Sequence, residues 1–284
     1  MEEEPLVKNE KLKPAIKWVG GKRQLIPKLM EYKPKKFNRY YEPFIGGGAF
    51  LFALQPTKFL INDLNSELIN MYKVIKTSTE ELLEILEEYQ SKNTKEFYLK
   101  IRAIDRDPKR FSKLSNIERA ARLIYMLKVD FNGLYRVNKK GQFNVPYGRY
   151  KNPKIADHDV LVEIQKFFNR TENKIICGDF ERAVEDTEKG DFVYFDPPYV
   201  PLTDTSDFTS YTSEGFGLED QKRLRNVFYS LGEKGVKVML SNSDTPITRE
   251  IYKNANIHEV QATRAINSVA KKRGKVGELI ITNY

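Results

Sequence analysis

Glu42-Pro43-Phe44-Ile45-Gly46-Gly47-Gly48, running straight into Ala49-Phe50-Leu51-Phe52-Ala53-Leu54, decides the fold class of this chain. A short extended run at 39–41 precedes it, so the order is strand, glycine loop, helix. Pro56 stops that helix, and Lys58-Phe59-Leu60-Ile61 reads as the next strand, ending at Asn62-Asp63. In such a unit the glycines of Phe44-x-Gly46-x-Gly48 let the backbone approach a ligand closely, and the helix N-terminus offers free N–H groups. The spacing is not the dinucleotide fingerprint, because Leu51 stands where the third glycine belongs. Nor is Gly20-Gly21-Lys22 a phosphate-binding P-loop: Ile16 replaces its first glycine and Arg23 its Ser/Thr. A tight strand-to-helix turn without a ligand also satisfies the glycine loop.

Phe192-Val193-Tyr194-Phe195 is another apolar strand, and Asp196-Pro197-Pro198-Tyr199 follows it directly. An acid at a strand's C-terminal end faces the crevice where open α/β sheets hold ligands. Two prolines fix φ and remove two donors, which leaves carbonyls of the turn as acceptors. The tyrosine adds a flat π-face. Two acceptors beside a ring suit the exocyclic amine of a nucleobase; a proline turn with a surface tyrosine is the plainer reading of the same residues. Asp63, Asp179 of Gly178-Asp179-Phe180, and Asp196 put acids at several strand ends. At Asp63 a carboxylate can bind both hydroxyls of a ribose. Strand-end acids, one glycine loop and no phosphate-binding lysine motif suggest a nucleoside ligand without a pyrophosphate. S-adenosylmethionine is such a ligand.

Composition narrows the setting. At 284 residues, 40% hydrophobic and 31% charged, the chain has the balance of a soluble globular protein. No apolar run approaches the ~20 residues of a membrane span, and Met1-Glu2-Glu3-Glu4-Pro5 lacks the layout of a signal peptide, so no membrane association is expected. A single cysteine, Cys177, rules out an internal disulfide and fits a reducing cytoplasm. His158 and His258 are the two histidines and lie far apart in sequence, so no metal centre is expected. Lys and Arg total 48 against 39 acids, a net charge of +9 that favours a polyanionic partner and salt-dependent binding.

Helical spacing continues at 68–75 and 80–89, where Leu82, Leu83, Ile85, Leu86 and Tyr89 form one stripe read as helix packing. Residues 93–130 also read as mostly helical, with 120–127 the clearest buried segment. At Phe131 the character changes: Asn, Gly, Pro and aromatic residues crowd together through Tyr150, with Lys139-Lys140-Gly141 a hairpin turn. After a helix at 160–168, α/β alternation returns, with strands at 174–177, 192–195 and 236–240 and helices at 218–232 and 245–253. A basic loop, Lys271-Lys272-Arg273-Gly274-Lys275, precedes a last strand at 278–282. The simplest organisation is one discontinuous α/β domain, 1–70 and 171–284, interrupted by an insert at 71–170.

Further stretches join these in order: Lys17-Trp18-Val19-Gly20-Gly21-Lys22, the glycine loop, Asn62-Asp63-Leu64-Asn65, the 131–150 run, Asp196 to Tyr199, Phe208-Thr209-Ser210-Tyr211, Leu240-Ser241-Asn242 and Lys275-Val276-Gly277-Glu278-Leu279. In that order, from about residue 15 to the C-terminus, the chain resembles the Dam-type DNA adenine-N6 methyltransferases that act on GATC, including restriction-associated modification enzymes. The resemblance implies an α/β Rossmann-like S-adenosylmethionine-dependent methyltransferase domain carrying an inserted helical and β-hairpin target-recognition domain. It implies methyl transfer to adenine N6, within GATC and with base flipping, leaving S-adenosylhomocysteine. Double-stranded DNA is the implied partner, with a cognate GATC restriction endonuclease as a functional rather than physical one. The implied setting is the prokaryotic or phage cytoplasm, with nucleoid association through DNA.

The same resemblance implies roles. Trp18 and Lys22 lie along the cofactor, Phe44, Gly46 and Gly48 shape its methionine end, Asp63 holds the ribose, Asp179 and Phe180 contact its adenine, and Asp196 is counted among the cofactor-binding residues too. Asp196 and the Pro197 carbonyl accept from the target N6, and Tyr199 stacks on the flipped ring. In the insert, Arg136 reads a guanine, helped by Leu134 and Pro146; Lys17 reaches another guanine, Asn132 lies near the orphaned thymine, and Asn138, Arg149 and Tyr150 also meet DNA. Phe131 stands where a tyrosine commonly wedges into the stack. Other acceptors for the same site are cytosine N4, RNA or a protein glutamine, and a DNA-binding regulator with a degenerate site is a further class. Asp rather than Ser at 196 and the hairpin run weigh against the first group. The presence of Gly46, Gly48, Asp63 and Asp196 weighs against the last.

Overall fold

The computed structural model describes residues 9–199, 216–263 and 275–284. The Phe208-Thr209-Ser210-Tyr211 motif and the basic residues 271–274 lie outside them. Two compact units emerge: Met1–Gly21, Gly46–Thr57 and Asn65–Ile175 in the first, and Lys22–Ile45, Lys58–Leu64 and Ile176–Tyr284 in the second.

A seven-stranded sheet dominates the second unit, formed by β1 (Tyr40–Glu42), β2 (Lys58–Asp63), β3 (Glu172–Cys177), β4 (Phe192–Phe195), β5 (Lys237–Ser243), β6 (Asn256–Thr263) and β7 (Lys275–Thr282). Only the edge strand β3 begins outside that unit. The order is β3-β2-β1-β4-β5-β7-β6. β1 runs parallel to β2 and β4, and β4 to β5, whereas β7 is antiparallel to β5 and β6. Strand order reverses between β1 and β4, the switch point at whose carboxyl ends such sheets bind ligands.

The central strands are apolar runs because both faces are covered. β4 is buried along its whole length, and Val193, Phe195, Val238, Leu240, Leu279 and Ile281 share one core with Phe228 and Leu231 of the helix Leu218–Glu233. The edge strand β6 escapes the sequence reading, since only Ile257 and Val260 of Asn256–Thr263 are strongly apolar. Its pairing with β7, in register from Asn256↔Thr282 to Thr263↔Lys275, is what makes it a strand. β7 likewise begins at Lys275 rather than 278.

The first unit is helical, with Ser66–Thr77, Thr79–Ser91, Lys95–Arg102, Asn116–Val129 and His158–Asn169 as its longer helices. Ser115 opens Asn116–Val129 with a capping box: its hydroxyl accepts from the Glu118 N–H at 3.2 Å, and Glu118 accepts from the Ser115 N–H at 2.7 Å. Positions 120–127 are all buried. Arg122 among them donates from Nε to the Ile101 carbonyl at 3.0 Å and ion-pairs with Asp105 at 2.9 Å.

The 131–150 run folds back on itself, but not as a regular ribbon. Its arms meet at two isolated antiparallel bridges, Asp130↔Tyr147 and Val137↔Phe143, and Phe131–Gly133 is a 3-10 turn with Asn132 at φ 66°. The second arm is also anchored through its backbone to side chains of residues 98–106. The Phe143 N–H donates to Asp105 at 2.8 Å, its carbonyl accepts from Arg106 at 2.5 Å, and the Val145 carbonyl accepts from Tyr98 and Arg102 at 2.8 Å each. These bonds pin its far side, while the N–H groups of Asn138 and Asn144 donate across the arms to the carbonyls of Gln142 and Arg136 at 2.8 and 3.1 Å. The turn at the tip forms as expected, around Asn138.

Candidate active site

At the switch point, β4 delivers Asp196 directly after its last residue. Lys22 Nζ lies 2.7 Å from Asp196 Oδ1, with side-chain exposures of 8% and 19%. Burial pushes the Asp196 carboxyl up to about 6, Lys22 opposes that shift, and Glu278 adds to it. The same ammonium sits 4.4 Å from the centroid of the Tyr199 ring, a cation–π distance. Tyr199 donates its hydroxyl to Glu278 Oε2 at 3.0 Å, and burial raises that phenol.

Side chains from β5 and Leu218–Glu233 brace the proline turn. Gln221 Nε2 donates to the Pro198 carbonyl at 2.9 Å, and Asn242 Nδ2 donates to Gln221 Oε1 at 3.2 Å. Gln221 and Asn242 are both buried. Asn62, ending β2 beside Asp63, ties neighbouring loops together by donating to the carbonyls of Pro43 and Gly178 at 2.9 Å each. Phe44 stacks on Phe180 with centroids 5.4 Å apart. Arg223 covers Phe180 at 5.1 Å and reaches both Asp179 carboxylate oxygens at 3.1 Å, so the Asp179 carboxylate is engaged by a neighbouring guanidinium.

The first unit holds the glycine loop and the 131–150 segment. Gly46 adopts φ 48°, and a Cβ there would meet Trp18 Cδ1 at 2.9 Å. Its carbonyl accepts from the Tyr72 hydroxyl at 2.8 Å. Gly48 caps the helix Ala49–Leu54. Trp18 also stacks on Tyr135, centroids 4.9 Å apart, which joins the glycine loop to the residue preceding Arg136. Lys17 packs on Gly133 so closely that a Cβ there would lie 2.8 Å from that of Lys17, and its ammonium is 5.7 Å from the Tyr150 ring.

In the folded-back segment Phe143 and Val145 point inward, while Asn144 is half-buried and Pro146 exposed. Phe131, Asn132, Arg136, Arg149 and Tyr150 are exposed, and Leu134 half-buried. Phe131 is 55% exposed. Residues 131–154 carry Arg136, Lys139, Lys140, Arg149, Lys151 and Lys154 and no acid, so the segment presents positive charge alone. Arg136 donates to Asn144 from Nε and Nη2. Asn138 is turned inward on the tip: its Oδ1 accepts from the N–H groups of Lys140 and Gln142 at 2.9 and 3.0 Å.

Gln221, Asn144, Asp105, Arg122 and Glu278 receive no role from the sequence. Their partners lie 8 residues away for Asn144, 23 for Gln221 and 79 for Glu278, and only for Asn144 does the spacing offer a local signal.

A switch-point sheet with strand-end acids, a glycine loop and an Asp-Pro-Pro-Tyr turn defines a Rossmann-like methyltransferase. Residues 18–266 match the D12 class N6 adenine-specific DNA methyltransferase family, and the chain belongs to that family. It is 57% identical over 273 residues to the type II methyltransferase M1.LlaDCHI of Lactococcus lactis subsp. cremoris, covering 96% of each chain. It is 44% identical over 291 residues to the type II methyltransferase M.MjaIII of Methanocaldococcus jannaschii, covering 96% of this chain and 99% of that one. With the DNA adenine methylase of Escherichia coli (strain K12) it shares 34% over 269 residues, 93% of each chain. Its activity is methylation of adenine N6 in DNA. Among the described residues no helix is long and apolar enough to cross a membrane.

Proposed function

We propose that the methyl donor is S-adenosylmethionine, that the target adenine lies within GATC in double-stranded DNA, and that it is flipped out of the helix to be methylated. The observation that carries this reading is the Asp196–Tyr199 turn at the switch point. Its Pro198 carbonyl is occupied by Gln221, which leaves Asp196 and the Pro197 carbonyl to receive an amine. The target N6 is enclosed in a duplex, so a site of this shape requires extrusion of the base.

S-adenosylmethionine supplies an electrophilic methyl on a sulfonium. The left-handed glycine at 46 against Trp18, and an acid at the end of β2, suit such a nucleoside-bearing ligand. On this reading Trp18, Lys22, Phe44, Gly46, Gly48, Asp63, Asp179 and Phe180 hold the donor, and Asp196 borders it as well. An aromatic amine is a weak nucleophile because its lone pair is delocalised into the ring. Asp196 and the Pro197 carbonyl, each accepting one N6 hydrogen, favour a pyramidal nitrogen and aim that lone pair. Tyr199 holds the base plane by stacking, and positioning supplies most of the rate. Lys22 keeps Asp196 ionised, ready to accept the proton that N6 releases.

The 71–170 insert reads the site. Arg136 pairs with a guanine in the major groove, Leu134 and Pro146 meet neighbouring base edges, and Lys17 reaches a second guanine. Phe131 wedges into the stack, Asn132 faces the vacated thymine, and Asn138, Arg149 and Tyr150 complete the DNA surface. A cognate GATC endonuclease is the functional partner of such an enzyme in a restriction system, and the cytoplasm is its setting. Incubation with labelled S-adenosylmethionine and duplexes carrying GATC, each single-base variant, or a scrambled site tests the proposal. Label should enter GATC alone; equal entry into all duplexes rejects the specificity.

A further inference from the structure

We propose that Glu278 is a positioning residue of this active site, holding the Tyr199 ring in place through its hydroxyl so that the stacking face stays aligned with Asp196. The inference rests on the reading of the Asp196–Tyr199 turn as the receptor for the target base.

Three features of the turn are held by separate groups. Prolines 197 and 198 limit the backbone, and Gln221, itself held by Asn242, ties down the Pro198 carbonyl. Neither restrains the tyrosine side chain, whose two χ angles remain open. At the far end of the ring, 79 residues on in sequence, the hydroxyl meets Glu278 Oε2 at 3.0 Å. Glu278 is 8% exposed on β7, paired with Ser243 of β5 on one side and Val260 of β6 on the other. The acceptor therefore sits on a strand flanked on both sides, and the ring is fixed at both ends. A carboxylate acceptor makes the bond charge-assisted and stronger than a neutral one.

A neutral acceptor would serve packing alone, and a carboxylate in so enclosed a place has a cost that calls for a reason. Among the described residues, the charged and titratable groups around Asp196 are Lys22, Tyr40 and its partner Glu42 of β1, Tyr194 of β4, Tyr199 and Glu278. Among the groups acting on Asp196, Glu278 raises its proton affinity and Lys22 lowers it. Glu278 thus fixes the ring mechanically and makes Asp196 a better proton acceptor electrostatically. These two effects separate experimentally, because glutamine keeps an acceptor oxygen but loses the charge.

The test compares Glu278→Gln, Glu278→Ala, Tyr199→Phe and Tyr199→Phe/Glu278→Ala in the full chain, using a GATC duplex and labelled S-adenosylmethionine across pH 5 to 9. Glu278→Ala and Tyr199→Phe should each lower kcat about tenfold or more, as expected for loss of a hydrogen bond to a charged group. S-adenosylmethionine affinity by calorimetry should stay within about twofold, because neither Tyr199 nor Glu278 is assigned to donor binding. The double variant should be no worse than either single. Glu278→Gln should recover most of the rate at high pH and move the acid limb of its profile to lower pH. Additive losses in the double variant, or an unmoved acid limb in Glu278→Gln, overturn the proposal. If Glu278→Ala does not fold, Tyr199→Phe and Glu278→Gln alone decide by the same criteria. Absence of methyl transfer by the unaltered protein would reject the underlying reading instead, a distinguishable result.

Discussion

Asn144 holds Arg136 at two points: its side-chain Oδ1 accepts from Arg136 Nε at 2.8 Å and its carbonyl from Nη2 at 3.3 Å. One edge of the guanidinium is thereby used to fix its plane. Arg136→Ala should cost ~1–3 kcal/mol of discrimination at one guanine position. Asn144→Ala should cost ~0.5–1.5 kcal/mol at the same position, since the fork survives but loses its brace. Methylation rates on single-base variants of the site check both. Losses at different positions would disprove the coupling.

The methylation rate should fall as pH drops through about 6, because Asp196 must be ionised to accept a proton and burial raises its carboxyl to that value. An ordinary aspartate would stay active to about pH 4. Lys22→Met removes the group that lowers the Asp196 value, so the acid limb should move upward in pH. A kcat/KM profile of both proteins measures this, and a wild-type limb near pH 4 would reject the role of burial.

Asp130 governs stability at the base of the reading segment. It is fully buried, its Oδ1 accepts from the Leu134 N–H at 3.1 Å, and burial raises it to about 7. An acid raised in the fold binds a proton that the unfolded chain has already lost. Its contribution is therefore greatest below about pH 4 and declines as pH rises through about 7. The Asp130→Asn protein should lack that decline. Urea midpoints of both proteins between pH 4 and 8 give the difference curve, which should slope in this direction.

Gly46→Ala should weaken S-adenosylmethionine binding at least tenfold. A methyl group there would lie 2.9 Å from Trp18 Cδ1, on a backbone at φ 48° that costs an L-residue ~1–2 kcal/mol. Calorimetric titration reads the loss. Thermal denaturation of the same protein separates it from global instability.

Arg122→Met should destabilise the protein by ~3 kcal/mol, because removing one partner of a buried ion pair leaves the other uncompensated. Asp105 keeps Arg106 as a partner, which places the effect at the low end of the usual range. Since Asp105 also accepts from the Phe143 N–H, discrimination at the guanine read by Arg136 should fall too. Urea denaturation and the single-base variant series report the two effects.

Local patterns made much of the fold legible. Phe192–Phe195 reads as a buried strand because a short run of four apolar residues closed by a proline turn suits a strand covered on both faces, as in a parallel sheet. Ala49–Leu54 starts behind a glycine and stops before Pro56, as chain geometry requires. β6 was not legible, because a polar edge strand is defined by its neighbour β7 rather than by its own residues. In the 131–150 segment the turn is local chemistry of Asn138, whereas the anchoring of its second arm by Tyr98, Arg102, Asp105 and Arg106 depends on residues distant in sequence.

By itself the sequence determined the alternation of strands and helices, the glycine loop, the acids at strand ends and the Asp-Pro-Pro-Tyr turn. These depend on residue types a few positions apart, where backbone geometry dictates what each can do. Only the tertiary structure decided which groups tune that turn. Lys22, Gln221 and Glu278 reach Asp196, Pro198 and Tyr199 across 174, 23 and 79 residues, and such partnerships arise from sheet order and packing, which no local pattern encodes.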